Sequence, residues 1–215
     1  MKKYLQSLVK KIIFDLPVSQ KQTGMSPRTS EQYKEIRESK RNLILESALK
    51  LFAKHGVFHT TVNMIAQDAG ISKGLMYNYF KSKEDLLRSV VLQGINKFLV
   101  LFDPDHDGVL TKSELIYFIE ETFRTIQNDV QFWKIYFSIL SRPQVLKIVG
   151  NKFWEIINPA FKMLENYFKR NNVKNPEIET RFFEALLNGI CINYVLDPDN
   201  FPLEEIKQKV IELYT

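Results

Sequence analysis

One stretch, residues 60–87, constrains the fold of this chain most, because helix-capping residues alternate there with short apolar faces. Thr61 precedes an apolar run at helical spacing, and its hydroxyl is suited to accept an unpaired backbone N–H of the first turn. Gly70 ends that run where helices commonly turn into the left-handed conformation. Ser72 and Ser82 stand where further helices begin. The pattern predicts two short helices joined by a tight turn, followed by a third helix.

Two helices so arranged form a helix-turn-helix, in which the N-terminal end of the second helix enters the major groove of DNA. Gly74 lowers helix propensity there, which favours a role in close approach of the backbone to a groove. Phosphate contacts, which set the register, are predicted for Thr61, Tyr77, Lys81 and Lys83, with Ser72 beside them. Base-edge contacts are predicted for Lys73, Gly74 and Asn78. A structural three-helix bundle without a DNA partner is the alternative.

These residues carry a resemblance to the TetR family of bacterial transcription regulators. The resemblance implies a homodimer that binds a palindromic double-stranded operator and usually represses transcription. It also implies release from DNA when a small apolar or amphipathic effector enters the C-terminal domain. The matching residues are Ile44, Ala48, Leu51, Phe52, Gly56, Thr60, Thr61, Val62, Ile65, Ala66, Ala69, Gly70, Ile71, Ser72, Tyr77, Phe80, Lys83, Glu84, Leu86 and Leu87.

Helical periodicity continues to the end of the chain without strand-like alternation, so we predict an all-α fold. The expected domains are a basic N-terminal extension (1–34), the helix-turn-helix domain (35–82) and an effector-binding and dimerisation domain (83–215). Pro159 is expected to kink a long helix. Helices after the helix-turn-helix are predicted at 83–102, 111–127, 129–141, 143–170, 176–196 and 202–213.

Charge follows the same division. Residues 25–87 carry 10 Lys and Arg against 7 Asp and Glu, whereas residues 88–215 carry 15 against 17. The basic surplus therefore lies where DNA is expected. Basic residues around the start of the first helix either face phosphates or form a solvated helix face: Arg28, Lys34, Arg37, Lys40 and Arg41.

The first 24 residues are basic but do not predict an export signal, because Lys10 and Lys11 interrupt the apolar stretch. They fit a basic amphipathic helix that touches DNA, a membrane surface or the protein itself, and Met25 is an alternative start. Apolar runs fall short of the roughly 20 residues that span a bilayer, so a soluble, cytoplasmic protein is expected. The single cysteine, Cys191, is expected to be a buried apolar residue.

The C-terminal region is rich in aromatic residues, which either fill an ordinary core or leave space for an apolar ligand between helices. A pocket is predicted among Tyr117, Trp133, Phe137, Phe153 and Phe161. From the family resemblance, the last two helices are expected to form the dimer interface, although burial within one subunit fits as well. The residues assigned to that interface are Phe183, Leu187, Ile190, Tyr194, Ile206 and Val210.

Residues 103–114 match the calcium-binding EF-hand loop, with Gly108 at its sharp turn. The predicted Ca²⁺ or Mg²⁺ ligands are Asp103, Asp105, Asp107, the Val109 carbonyl and Glu114. A plain interhelical turn is the alternative, because Asp-Pro and Asp-Gly favour turns and Thr111 with Glu114 forms a capping box. No cofactor is required in either case.

We therefore predict a DNA-binding regulator from the helix-turn-helix pattern, and the family resemblance implies that it responds to a ligand. The alternative from another class is a calcium-binding helical interaction protein, or a calcium-tuned regulator. An enzyme is not expected, because His55, His59 and His106 lack the spacing of a metal triad and no nucleophile elbow or phosphate-binding glycine loop occurs.

Overall fold

The computed structural model describes residues 29–214, and this part of the chain is all-α. It contains ten helices and no strands, which confirms the predicted fold class. The predictions on residues 1–28, Arg28 included, lie outside the described residues. The helices are α1 (Ser30–His55), α2 (Val62–Asp68), α3 (Lys73–Tyr77), α4 (Lys83–Phe102), α5 (Lys112–Asn128), α6 (Val130–Leu140), α7 (Pro143–Val149), α8 (Asn151–Arg170), α9 (Pro176–Leu196) and α10 (Leu203–Tyr214).

The predicted N-caps of the helix-turn-helix are confirmed. The Thr61 hydroxyl accepts the backbone N–H of Met64 at 3.2 Å and begins α2. The Ser72 hydroxyl accepts a hydrogen bond from the backbone N–H of Leu75 at 3.1 Å and begins α3. The Ser82 hydroxyl likewise accepts a hydrogen bond from a backbone N–H in the first turn of α4. Such hydrogen bonds satisfy N–H groups that have no partner within the helix. Capping chemistry thus sets where each short helix begins.

Two helix boundaries differ from the prediction by more than two residues. The helix predicted over 143–170 is interrupted at Gly150, which has φ 55° and separates α7 from α8. A positive φ is easily adopted by glycine and ends an α-helix. Pro159 lies inside α8 without ending it. In the helix-turn-helix, the sequence pattern after Ser72 predicts a helix from Lys73 to Phe80, whereas α3 ends at Tyr77.

The described residues form two compact units that divide between Leu86 and Leu87, within α4. We call residues 29–86 the first unit and residues 87–214 the second unit. The predicted boundaries after residues 34 and 82 stay predictions. Apolar side chains of α1, α2, α3 and the start of α4 form the core of the first unit: Ile44, Leu45, Ala48, Phe52, Ile65, Ala66, Met76, Phe80 and Leu86.

The second unit is built around large rings, with Phe123, Trp133 and Phe183 almost fully buried. In α6 the Tyr136 hydroxyl donates to the carbonyl of Val91 in α4 at 2.8 Å. The tyrosine ring lies so close to α4 that a Cβ added at Gly94 would be 2.2 Å from its Cε2 atom. Gly94 is therefore required for this packing. Within the described residues, none of the helices combines the length and apolar character needed to cross a membrane.

Candidate DNA-binding, effector and metal sites

The turn between α2 and α3 places the start of α3 at the surface of the first unit. Gly70 has φ 63°, and the backbone N–H of Ile71 returns to the carbonyl of Ala66 at 2.9 Å. Below the turn, Met76 anchors α3 in the core. The first residues of α3, Lys73 and Gly74, are both exposed. This is the geometry of a helix-turn-helix whose second helix presents its N-terminal end.

Seven of the eight residues predicted to contact DNA are exposed on the first unit: Thr61, Ser72, Lys73, Gly74, Tyr77, Asn78 and Lys81. The two hydroxyls that cap helices accept hydrogen bonds through oxygen, so their own hydrogens remain able to donate to phosphate. A Cβ added at Gly74 meets no atom of the described chain within 4 Å. The folded chain has room for a larger side chain at this position, so packing within the protein does not explain the glycine.

Lys83 differs from the other seven. Its ammonium donates to the carbonyls of Phe58 at 3.3 Å and of Thr60 at 3.1 Å. These carbonyls belong to the loop that leads into α2, and Lys83 holds that loop against the first turn of α4. The side chain therefore has a structural role that the sequence pattern did not reveal, and its assignment to phosphate stays a prediction.

Two arginines of α1 also have a role that sequence reasoning missed. Arg37 donates to the carbonyl of Asn78 at 3.4 Å and lies over the ring of Tyr79, 5.4 Å from its centroid. Arg41 lies over the ring of Phe80 at the same distance. Both guanidinium groups thus bind α1 to the segment that follows α3. Cation–π contacts of this kind depend on tertiary packing, and helical spacing alone does not predict them.

A cavity of about 180 Å³ lies among helices of the second unit. Phe137, Phe153 and Phe161 line it, as predicted for a pocket. Tyr117 and Trp133 do not: Tyr117 is exposed, and Trp133 is fully buried with its indole N–H donating to the carbonyl of Thr125 at 3.0 Å. The remaining lining residues are Ile95, Phe98, Leu99, Phe102, Phe118, Thr122, Tyr136, Leu140, Ile157, Ala160, Leu164, Phe183, Glu184, Leu187, Asn188 and Cys191.

The cavity has a few polar groups that the sequence did not single out. The Thr122 hydroxyl is buried and lacks a hydrogen-bond partner among residues 29–214. Asn188 donates a hydrogen bond to the carboxylate of Glu184. Burial raises the pKa of Glu184 above its usual value, and the positive charge of Arg181 only partly opposes this shift. Burial also raises the pKa of the Cys191 thiol to about 12, so it is uncharged at neutral pH. The lining is thus apolar, with hydroxyl and carboxyl groups available to a ligand.

The predicted dimer interface requires correction. Phe183, Leu187, Ile190 and Val210 are buried within the single chain, so they pack inward. Tyr194 and Ile206 are half-buried. The exposed face of α9 instead carries another apolar stripe at helical spacing. The residues of this α9 stripe are Ile178, Phe182, Ala185, Gly189, Ile192 and Leu196. An apolar period identifies a helix face but does not say which of two apolar faces points outward.

The acidic loop between α4 and α5 brings three of its predicted ligands together. Asp103, Asp105 and Glu114 each have a carboxylate oxygen within 4.8 Å of the others. Asp107, the fourth predicted carboxylate ligand, is not part of this group, and its Oδ1 accepts the N–H of Val109 at 2.6 Å. The capping box of the turn alternative is also present, with Glu114 Oε2 accepting the N–H of Thr111 at 2.7 Å.

Asp103 is the unusual member of this loop. Burial is the largest cause that raises its pKa above the usual range, and the charge of Asp105 adds to it. The nearby backbone N–H of Gly108 opposes the shift, although it does not reach hydrogen-bond geometry. A carboxyl group in this setting is destabilised unless a cation or a proton compensates its charge.

A short helix that presents its N-terminal end after a tight turn, on a core of three helices, defines the first unit as a helix-turn-helix domain of the DNA-binding type. Comparison with known proteins specifies the family. Residues 44–90 match the bacterial regulatory proteins of the TetR family, so the first unit carries the TetR-family DNA-binding domain.

Curated relatives agree with this assignment. The fatty acid metabolism regulator protein of Bacillus subtilis (strain 168) is 30% identical over 87 residues, which are 40% of this chain and 45% of that protein. The match thus spans less than half the length of that relative. The transcriptional regulator UidR of Escherichia coli (strain K12) is 23% identical over 158 residues, which are 73% of this chain and 80% of UidR.

Solved structures show the same fold beyond the first unit. The transcriptional regulator FadR from Bacillus subtilis, solved in complex with stearoyl-CoA, matches with a TM-score of 0.64 and 20% sequence identity. The match covers 80% of this chain and 96% of that chain. At this identity the likeness establishes the fold alone.

Proposed function

We propose that this protein is a transcriptional regulator that binds a palindromic DNA operator as a homodimer through the N-terminal end of α3. The observation that carries the proposal is the exposure of Lys73, Gly74, Tyr77 and Asn78 on a TetR-family domain. Lysine and asparagine side chains at this position are suited to base edges, and Tyr77 is suited to phosphate. In this proposal DNA and effector are bound and released unchanged, without an enzymatic step.

The α9 stripe supports dimerisation by a second copy of the chain. Ile178, Phe182 and Leu196 are each more than half exposed, at 67%, 55% and 62%. A contiguous apolar face of this kind marks an interaction surface on a protein. A Cβ added at Gly189, in the middle of the stripe, meets no atom of the described chain within 4 Å, so a partner helix has room to approach. A two-fold dimer places two α3 helices on the two half-sites of a palindrome.

We further propose that the effector is a small apolar molecule with one hydrogen-bonding group. The cavity is mostly lined by rings and aliphatic side chains, with Thr122 and Glu184 as polar partners. Its volume of about 180 Å³ is below the roughly 300–1,000 Å³ typical of drug-sized ligands. A long acyl chain, such as that of the stearoyl-CoA bound by FadR, requires the cavity to widen. Because α4 lines the cavity and begins directly after the helix-turn-helix, ligand entry can act on DNA binding through this helix.

The operator is tested by selecting fragments of the source genome that the full-length protein retains. We expect enrichment of a palindrome, and an affinity for it that falls steeply with salt because phosphate contacts release counterions. Absence of an enriched sequence, or binding that is insensitive to salt, would contradict the proposed regulator.

The effector is tested separately with a series of fatty acids of increasing chain length. The shorter members are expected to raise the melting temperature and to release the selected DNA. Ala160→Leu is the control, because it fills the cavity from its lining and should abolish both effects while DNA binding persists. Equal responses from the variant and the original protein would place the ligand elsewhere.

A further inference from the structure

The acidic loop between α4 and α5 takes no part in the proposed DNA contacts or in the cavity lining. Asp103 follows the last residue of α4, and Glu114 lies in the first turn of α5. Between them, Leu110 is fully buried, and its carbonyl accepts a hydrogen bond from the Arg170 guanidinium at 2.6 Å. The loop is therefore anchored at its centre to the core of the second unit.

Asp103 is only 6% exposed, and neither of its carboxylate oxygens has a hydrogen-bond partner among residues 29–214. Removing a carboxylate from water without compensation is strongly unfavourable. Buried carboxylates are normally paired, hydrogen-bonded or bound to a metal ion. The side chain faces Asp105 and Glu114, because their oxygens lie within 4.8 Å of one of its own. Neighbouring negative charges do not compensate that of Asp103, and a cation bound among the three carboxylates would compensate all of them, whereas a proton on Asp103 would compensate only one.

The turn alternative accounts for the other residues but not for Asp103. Thr111 and Glu114 cap α5, and Asp105 accepts the backbone N–H of Asp107 at 3.2 Å. These contacts shape the loop without reaching Asp103 Oδ1 or Oδ2. The capping bonds involve Glu114 Oε2, which leaves Oε1 able to bind elsewhere. A turn alone leaves the buried carboxylate without a role.

We propose that this loop is a calcium site, in which Asp103, Asp105 and Glu114 bind one Ca²⁺ ion together with the backbone carbonyl of Val109 and water. Ligands that are all oxygen, with carboxylates in the majority, suit Ca²⁺ and Mg²⁺. Two ligands of one ion can lie no farther apart than twice the metal–oxygen distance, which is about 4.2 Å for Mg²⁺ and about 5 Å for Ca²⁺. Any two of the three carboxylate oxygens, which all lie within 4.8 Å of one another, are therefore close enough to bind the same Ca²⁺ ion.

The site would hold together two helices that line the cavity. Phe102, next to Asp103, packs edge-to-face on Phe118 of α5 with ring centroids 4.7 Å apart. Both rings belong to the cavity lining. Calcium therefore fixes the spacing of α4 and α5 at the cavity, so its binding and effector binding are coupled. By linkage, whichever ligand binds first changes the affinity for the other by the same factor.

Isothermal titration of the chelator-treated full-length protein with CaCl₂ tests the site. We expect one ion per chain, with a dissociation constant between about 10⁻⁵ and 10⁻³ M and weaker binding of MgCl₂. Glu114→Gln should weaken Ca²⁺ binding at least about tenfold, because glutamine is also a good capping-box residue and only the ligand charge is lost. Glu120→Gln, on the exposed side of the same helix, is the matched control and should bind as the original protein does.

Asp103→Asn separates a metal ligand from a structural residue. If Asp103 serves only a cation, the variant should melt at a higher temperature than the original protein without calcium and should lose the rise that calcium produces. A lower melting temperature of the metal-free variant, with the calcium response retained, would overturn the proposal. So would the absence of Ca²⁺ binding by the original protein at about 10 mM, or equal binding by Glu114→Gln.

Discussion

The two units of this chain build their candidate sites in different ways. In the first unit, the residues proposed to contact DNA all lie between Thr61 and Lys83, and helix caps within that stretch set their positions. In the second unit, the cavity lining extends from Ile95 to Cys191 and comes from helices that are distant in sequence. The first site is a local structure supported by a small core, whereas the second is created by packing.

This difference shows that the type and position of a residue predict its structural role in the first unit but not in the second. At a helix N-terminus, serine, glycine or lysine has a specific conformational or electrostatic consequence, so its position has meaning. A phenylalanine in an amphipathic helix is compatible with core, cavity or interface. Predictions for the second unit therefore test packing within and between chains, and those for the first unit test contacts of exposed side chains with DNA.

The largest effect is expected at the α9 stripe of the second unit. Ile192→Asp places a charge at the proposed two-fold contact and should convert the dimer to a monomer, as measured by light scattering. Operator affinity should fall about 10²-fold or more, because the two half-sites are no longer bound by one linked pair. Lys134→Asp, exposed on α6, is the control and should leave the dimer intact. A dimeric Ile192→Asp protein would exclude this surface.

Gly94→Ala should destabilise the second unit by about 1–3 kcal/mol, as overpacking of a core does. Alanine normally favours a helix over glycine by about 1 kcal/mol, so the sign of the effect depends on the clash with the Tyr136 ring. Urea unfolding measures it. A stabilised variant would show that α4 and α6 can separate at low cost, against the close packing described above.

Lys73→Ala should weaken operator binding by about 1–3 kcal/mol and relax the preference at one base position. Tyr77→Phe should weaken binding about equally on all sequences, since a phosphate contact reads no base. Fluorescence anisotropy on the selected operator and on random DNA distinguishes the two. Lys174→Ala, an exposed residue of the second unit, is the control. Equal losses on both DNAs for Lys73→Ala would contradict its role at a base edge.

The smallest effect is expected at Gly74. Since a Cβ there has open space, Gly74→Ala should stabilise the folded protein by about 0.5–1 kcal/mol. The same change should weaken operator binding if the backbone approaches the groove as closely as proposed. Thermal unfolding and anisotropy on one preparation measure the two effects. Unchanged DNA affinity would show that the glycine is dispensable for the groove contact.

Much of the first unit was predictable because its signals are local. The caps at Thr61, Ser72 and Ser82 follow from the side chain and the next few backbone groups alone, and the structure confirms each of them. The all-α class likewise follows from apolar periodicity. The break at Gly150 was missed because a glycine within a periodic pattern is compatible with both a continuous and an interrupted helix.

By itself, the sequence determined the helices, their caps, the helix-turn-helix and the acidic loop, since each depends on residues a few positions apart. Tertiary structure alone decided that Lys83 holds the loop before α2 and that Trp133 belongs to the core and not to the cavity. It also decided that Phe183 points inward while Phe182 points out, and that Asp103 is buried without a partner in the described chain. Burial and partnership arise where distant segments meet, and the order of residues along one helix does not contain that information.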